Sequence, residues 1–189
     1  GLDKDDEAWA LQRGIADFVR QHWAEPGAGV WELRGPPRQY TYSKVMAWVA
    51  MDRAIQMVEQ FGVDGDVEAW RTTRDQIHEQ VLELGWDESM GSFVQHYGSQ
   101  ALDAALLLIP QLGFLPPDDR PVVGTIDAIQ RELMDGGWLW RYDSGSASEG
   151  LPAGEGAFLA CMCWLADALE LIGRPDDAHD VLGRVLDLA

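Results

Sequence analysis

Apolar residues recur at helical spacing through nearly the whole chain, and strand-like alternation is confined to short segments. The periodicity predicts a first helix from about Asp5 to Trp23, with Trp9, Ile15, Phe18 and Val19 facing inward. A second runs from Ser43, an N-cap candidate, to Gly62, a C′ candidate. A third spans about Asp66 to Leu84 and is stopped by Gly85. A fourth covers about Ala101 to Leu112, with a kink or late break expected at Pro110. A fifth runs from Pro121, suited to a first turn, to Met134; a sixth from Glu155 to Ile172; a seventh from Pro175 or Asp176 to Leu188. Between Ser92 and Tyr97 a short alternating segment bounded by glycines predicts β-hairpin character.

These helices repeat. The most apolar ones begin near 43, 101 and 155, offsets of about 58 and 54 residues. Each is followed by a short Gly-containing turn and a more polar, amphipathic helix, and each is preceded by a long Trp-bearing loop. Such a period describes an array of helix hairpins in which inner apolar helices are wrapped by outer amphipathic ones. Every long loop leaves an outer helix and enters an inner one, so the long loops share one end of the array. Functional residues are expected there.

Composition narrows the partners. A net charge of −18 and a pI near 4.3 disfavour nucleic acid, anionic membranes and polyanionic substrates. No run of 18 apolar residues exists, so no membrane span is expected. Cys161 and Cys163 point in different directions on a helix and are expected to stay unbridged, Cys161 and Cys163 both reading as buried, inert thiols; a reducing cytoplasm is the default location. The four histidines form no metal-ligand spacing with each other or with the cysteines, so no metal site and no cofactor is expected.

Gly29-Val30-Trp31-Glu32-Leu33-Arg34-Gly35, running on to Lys44 and Trp48, concentrates a carboxylate, a guanidinium, an ammonium and two indoles in about twenty residues. Indoles stack on sugar rings and charged groups orient hydroxyls, so the mixture suits a small carbohydrate; a Trp-anchored loop with surface charges explains it equally well. The second long loop adds Trp86, Asp87, Glu88, His96 and Tyr97, and the third adds Trp138, Trp140, Arg141, Tyr142, Asp143, Glu149 and Glu155. Two carboxylates meeting over one pocket are what glycoside hydrolysis needs, one protonated to release the leaving oxygen and one ionised. Glu155 in a first helical turn is equally explained by the helix dipole. Trp48, Trp70 and Trp164 read as core, and Lys44 could simply lie along Trp48.

Several stretches, in order along the chain, resemble bacterial members of glycoside hydrolase family 15, the glucoamylase, glucodextranase and trehalase-like group. They are Gly29 to Gly35, Ser43 to Ala54, Leu102 to Leu107 with Leu112-Gly113-Phe114, Trp140-Arg141-Tyr142, and Glu155 to Leu159 with Trp164-Leu165. The resemblance implies an all-α fold, an α-hairpin toroid forming about half of an (α/α)6 barrel, in a single domain over 1–189. It implies an inverting α-glucosidase acting on trehalose or α-glucan oligosaccharides, leaning to the trehalase-like subgroup. Glu32 matches the general acid, and Glu155 the general base with Glu149 as fallback. Arg141 matches the arginine that binds sugar hydroxyls, and Trp31, Arg34, Lys44 and Tyr142 would line the pocket.

Seven helices make about half of a twelve-helix barrel, and the matches belong to the family's C-terminal half. A lone half-barrel would expose the apolar flank of its inner helices, so self-association or a missing N-terminal half is implied. Two other readings stand beside this one: a non-catalytic helical module binding a sugar or a partner, and an (α/α)-barrel disaccharide phosphorylase.

Overall fold

The computed structural model describes residues 6–142 and 157–188. Its elements are α1 (Asp6–His22), α2 (Thr41–Phe61), α3 (Val67–Leu84), β1 (Trp86–Asp87), β2 (Ser92–Phe93), a 3-10 segment (Ala104–Leu108) running into α4 (Ile109–Leu112), α5 (Arg120–Leu133), β3 (Met134–Asp135), β4 (Trp138–Leu139), α6 (Leu159–Leu171) and α7 (Pro175–Leu186). Three hairpins result: α2 with α3, the 3-10/α4 unit with α5, and α6 with α7. The 3-10/α4 unit touches both α2 and α6 and so occupies the centre of the row, while α1 packs on α2.

Local chemistry sets most boundaries. Asp66 accepts from the Ala69 amide at 3.2 Å and caps α3, as an Asx N-cap should. Gly62 closes α2 in the left-handed conformation, φ 64°, its amide bonding the Val58 carbonyl. The expected N-cap at Ser43 is replaced by Tyr40, with the helix starting at Thr41 and no side-chain cap. The Thr41 amide is instead satisfied by the Gln95 carbonyl of the next long loop, at 2.9 Å. The fourth apolar run begins later than its pattern, because Asp103 is extended (φ −143°) and caps a tight 3-10 turn. Pro110 sits in the first turn of α4, where its missing amide costs nothing. The sixth helix runs from Leu159 with Phe158 at its N-cap, and its expected start, Glu155, lies outside the described residues.

The core is continuous through the hairpins. Val45, Met51 and Ile55 of α2 meet Trp70, Ile77 and Val81 of α3, then Leu106, Leu107 and Ile109, and then Met162, Leu165 and Leu169 of α6. Ion pairs stitch outer helices together at the short-turn end, where Arg174 reaches Asp127 of α5 at 2.8 Å and Asp177 of α7 at 2.6 Å. The inward face expected for α1 holds in part: Trp9 and Val19 pack against the core beside buried Ala16, whereas Ile15 and Phe18 are exposed. Small Ala16 permits close approach to α2, and Ile15 and Phe18 fall on the free side. Exposed apolar residues lie on the end helices, Leu11, Ile15 and Phe18 on α1 and Leu182 and Leu186 on α7, and also on the inner helices, Met46 and Phe61 on α2 and Leu159 and Leu171 on α6. The open row has two unpaired ends.

Two small hairpins enter the inner segments. One pairs Trp86 with Phe93 and Asp87 with Ser92, so only its second strand falls in the segment Ser92 to Tyr97 where a hairpin was expected; a second, not foreseen, pairs Met134 with Leu139 and Asp135 with Trp138. The first is locked to α5 through the Phe93 amide, which donates to Thr125 Oγ1 at 2.9 Å. Gly124 of α5 lies so close to its turn that an added Cβ would sit 2.3 Å from the Gly91 carbonyl oxygen. Gly124→Ala is therefore expected to cost about 1–3 kcal/mol, since backbone must move to admit one methyl. Equilibrium urea unfolding checks this; an unchanged midpoint would mean the contact is slack. No helix among the described residues is long and apolar enough to cross a membrane.

Candidate active site

The three long loops meet at one end of the row, joined by backbone. Tyr40 bridges His96, and Asp103 bridges Tyr142, each antiparallel. The Ala104 amide donates to the Arg141 carbonyl at 2.8 Å. Within the first loop, Gly27 and Arg38 exchange both backbone hydrogen bonds, at 2.9 and 2.8 Å, and close off an excursion over residues 28–37. That excursion carries Trp31, Glu32 and Arg34.

Its tip is strained at one residue. Glu32 has φ 51°, the one positive φ at a non-glycine among the described residues. A residue with a Cβ pays roughly 1–2 kcal/mol to sit in that region, and such outliers concentrate at functional sites. The turn is held by the Glu32 amide on Gly29 at 3.2 Å and by the Leu33 amide on Ala28 at 3.0 Å. Gly29, φ 75°, lies flat against the Tyr40 ring, where a Cβ would come within 3.0 Å. Glu32 and Arg34 are both exposed.

Trp31 is the hub. Its ring meets Trp164 and Phe158, both at 5.9 Å, and Tyr142 at 6.3 Å. The Arg141 guanidinium lies over it at 5.6 Å and over Tyr142 at 5.5 Å. Aromatic faces held by a cation form a surface suited to the apolar face of a sugar, with charge left to orient hydroxyls. Trp164, expected in the core, is half-buried and forms part of this cluster.

Beneath Trp31 lies a carboxylate not singled out from sequence. Asp103 is 3 % exposed and accepts from Trp31 Nε1 at 2.9 Å, the Ala105 amide at 2.8 Å and Gln95 Nε2 at 3.3 Å. Burial pushes its carboxyl up from the ordinary 3.8 to about 6, against the opposing pull of those donors. Its charge adds to burial in raising the Tyr42 hydroxyl, and burial first, then Asp103, pushes the Cys161 thiol up to about 12. A lone carboxylate opening an otherwise apolar run, Leu102 to Leu107, was the signal available.

A raised folded-state value means the native protein binds more protons than the unfolded chain between pH 3.8 and about 6. The stability associated with protonated Asp103 is therefore present below pH 3.8 and lost as pH rises through about 6. Asp103→Asn is expected to flatten that part of the stability–pH curve, measured by urea unfolding at a series of pH values. Parallel curves for the two proteins would contradict it.

Other candidates sit elsewhere. Lys44 is 3 % exposed and donates to the Trp23 and Glu25 carbonyls, so it ties the exit of α1 to α2; burial lowers its pKa, partly opposed by Glu25. Asp87 accepts from the Ser89 hydroxyl and the Ser89 and Met90 amides, which pins the β1–β2 turn and holds its carboxyl below the ordinary range. Glu88 accepts from Trp86 Nε1 and pairs with Arg120. Cys161 is buried and Cys163 exposed, both free, the latter against expectation. Glu149, Glu155 and Asp143 lie outside the described residues.

Known proteins resemble this chain along most of its length. The family model described as glycosyl hydrolases family 15 matches residues 1–182. A trehalase of Thermoplasma volcanium is 40% identical over 182 residues, covering 96% of this chain and 29% of that protein. A trehalase of Mycobacterium tuberculosis is 41% identical over 184 residues, 97% of this chain and 27% of that protein. The chain thus spans less than a third of the length of these relatives. Among solved structures, a wild-type glycosidase superposes with TM-score 0.78 at 20% identity, over 90% of this chain and 44% of that one. A glycosidase variant in complex with glucose gives TM-score 0.77 at 19% identity, with the same coverage. The likeness in fold makes the hairpin row about half of a helical barrel, and the match along nearly the whole sequence places the chain in glycosyl hydrolases family 15.

Proposed function

We propose that this chain is the part of a trehalase-like glycosidase that carries the proton donor, and that the reaction is hydrolysis of an α-glucosidic bond with inversion. The observation that carries the reading is Glu32, held in a strained left-handed conformation beside the Trp31–Arg141–Tyr142 cluster. Trehalase relatives at 40% and 41% identity favour trehalose over α-glucan oligosaccharides. In this scheme Glu32 gives its proton to the bridging oxygen as the bond to the anomeric carbon breaks. Glu155, or Glu149 in its place, takes a proton from water as that water attacks the opposite face. One trehalose and one water become two glucose molecules, the attacked ring released as the β-anomer and the other as the α-anomer. Trp31 would support the ring, with buried Tyr142 packed beside the indole and Arg141 and Arg34 on the sugar hydroxyls.

The test is glucose release from trehalose, maltose and longer α-glucans, with the fresh anomers followed by proton NMR. Release from trehalose, in equal α and β amounts at first, supports the scheme. Two α-anomers would indicate retention, and phosphate-dependent formation of a sugar phosphate would favour a phosphorylase. Saturable sugar binding without turnover of any of them would favour a binding module.

The exposed apolar residues on α1 and α7 suit contact with further barrel helices, and the reading supplies them from a second copy that closes a two-fold ring. Sedimentation at micromolar concentration should then give a dimer; a stable monomer would sink that arrangement. The free cysteines fit a reducing cytoplasm.

A further inference from the structure

We propose that Asp103 is the positioning residue of this site: its side chain joins the first and second long loops and its backbone the third, and so sets Trp31, and with it the neighbouring Glu32, against the Arg141–Tyr142 segment. The proposal rests on the reading of Glu32 as proton donor, but its geometry stands apart from it.

Each loop reaches Asp103 by a different bond. From the first loop, Trp31 Nε1 donates to Oδ1 at 2.9 Å. From the second, Gln95 Nε2 donates to Oδ2 at 3.3 Å, and the Gln95 carbonyl accepts the first amide of α2 at 2.9 Å, tying that loop to the end of the excursion. From the third, Tyr142 pairs with the Asp103 backbone, and the next amide, Ala104, holds the Arg141 carbonyl at 2.8 Å. Oδ1 also accepts the Ala105 amide at 2.8 Å, so the carboxylate is fixed by the start of the 3-10 segment and cannot swing. At 3 % exposure it has no route to a sugar, which makes it a support for the groups that do the contacting.

The chemistry explains the residue type. One oxygen must accept two N–H groups at once, from an indole and from a capping amide, which a carbonyl-type oxygen with two lone pairs does well. Asparagine offers the same oxygen, and Gln95 can rotate its amide to accept from the new NH2. Leucine fills similar space, accepts nothing, and leaves the indole N–H without a partner. The strained backbone at Glu32 follows Trp31 directly, so an indole free to turn releases that strain and carries the acid out of place.

The deciding measurement uses the whole chain labelled with 15N-tryptophan, the Trp31 indole signal being assigned by its loss in Trp31→Phe. In the wild type that N–H should exchange with deuterium at least tenfold more slowly than in Asp103→Leu, with Asp103→Asn keeping the wild-type rate. Glucose affinity, read by titrating glucose into the folded chain, should fall at least tenfold in Asp103→Leu and be kept in Asp103→Asn, a rescue that loss of bulk packing would not produce. An indole signal in Asp103→Leu with wild-type position and exchange would overturn the proposal, as would equal loss in both variants, because charge rather than an acceptor would then be at work. If Asp103→Leu does not fold, rapid exchange of the Trp31 N–H in the wild type is by itself enough to overturn it. Turnover unaffected by Glu32→Gln would sink the acid role while leaving these indole results intact, so the two failures are distinguishable.

Discussion

Glu32→Gln is expected to lower glucose release from trehalose by roughly 10²–10⁴-fold while leaving glucose binding close to that of the parent. Glutamine keeps the volume and the left-handed backbone but has no proton to give at neutral pH. The leaving group of trehalose is a sugar alkoxide, poor without protonation, so the loss falls on turnover and not on affinity. The carboxylate of Glu32 has no hydrogen-bond or ion-pair partner among the described residues, so the exchange leaves no orphaned group. A substrate whose leaving group needs no proton, such as glucosyl fluoride, should regain much of the lost rate in the variant. Release from trehalose unchanged by the substitution would remove Glu32 from the reaction. Glycine at this position separates strain from chemistry: it adopts φ 51° without penalty, so Glu32→Gly should be inactive yet up to about 1 kcal/mol more stable.

Trp70→Ala is expected to cost about 3–5 kcal/mol of stability, the largest effect of any single change in the core. The indole is fully buried on α3 and packs edge-on against Trp9 of α1 at 6.4 Å. Gly65 of the α2–α3 turn lies against it so tightly that a Cβ there would meet ring atom Cζ3 at 2.5 Å. Its Nε1 donates to Asp17 of α1 at 3.0 Å, so truncation also leaves that carboxylate short of a partner. Because α1 is held mainly through α2 and this contact, its amides should lose hydrogen-exchange protection before those of α6. Trp70 stands at the short-turn end, away from the loops around Trp31, so glucose affinity per folded molecule should be unaltered. Calorimetry or urea unfolding reads the first effect and a glucose titration of the folded variant the second.

Hairpin order and most helix ends were legible in the residues, because they depend on nearest neighbours in sequence. Asp66 caps, Gly62 and Gly85 stop, and Pro121 starts, whatever lies across the protein. The failures have the opposite origin. Thr41 opens α2 because the Gln95 carbonyl arrives from another loop to take its amide. Ile15 and Phe18 are apolar at helical spacing, yet the side of α1 that meets α2 is chosen by the partner's shape. The β3–β4 hairpin has only two residues per strand, too short for alternation to register.

The same division runs through the site. Trp31, Glu32, Arg141 and Tyr142 could be picked out because indoles, arginines and carboxylates share the loops at one end of a hairpin array, a mixture that surface charge explains as well, and only the resemblance to the family implied roles for them. Lys44 and Asp87 were as plausible by residue type, and only their surroundings assign Lys44 to the α1 exit and Asp87 to a turn. Asp103 is the plainest case. In sequence it is one acid among many at the head of an apolar run, explained by its capping of a turn. Its bond to Trp31 spans 72 residues and its bridge to Tyr142 spans 39 more, separations over which no local rule operates. By itself, then, the sequence determined the helices, their repeat and the end at which the long loops gather, since periodicity and capping are written in short windows. The tertiary structure alone decided which charges are buried and bonded and which stay exposed, because desolvation and hydrogen-bond partners belong to places in the fold.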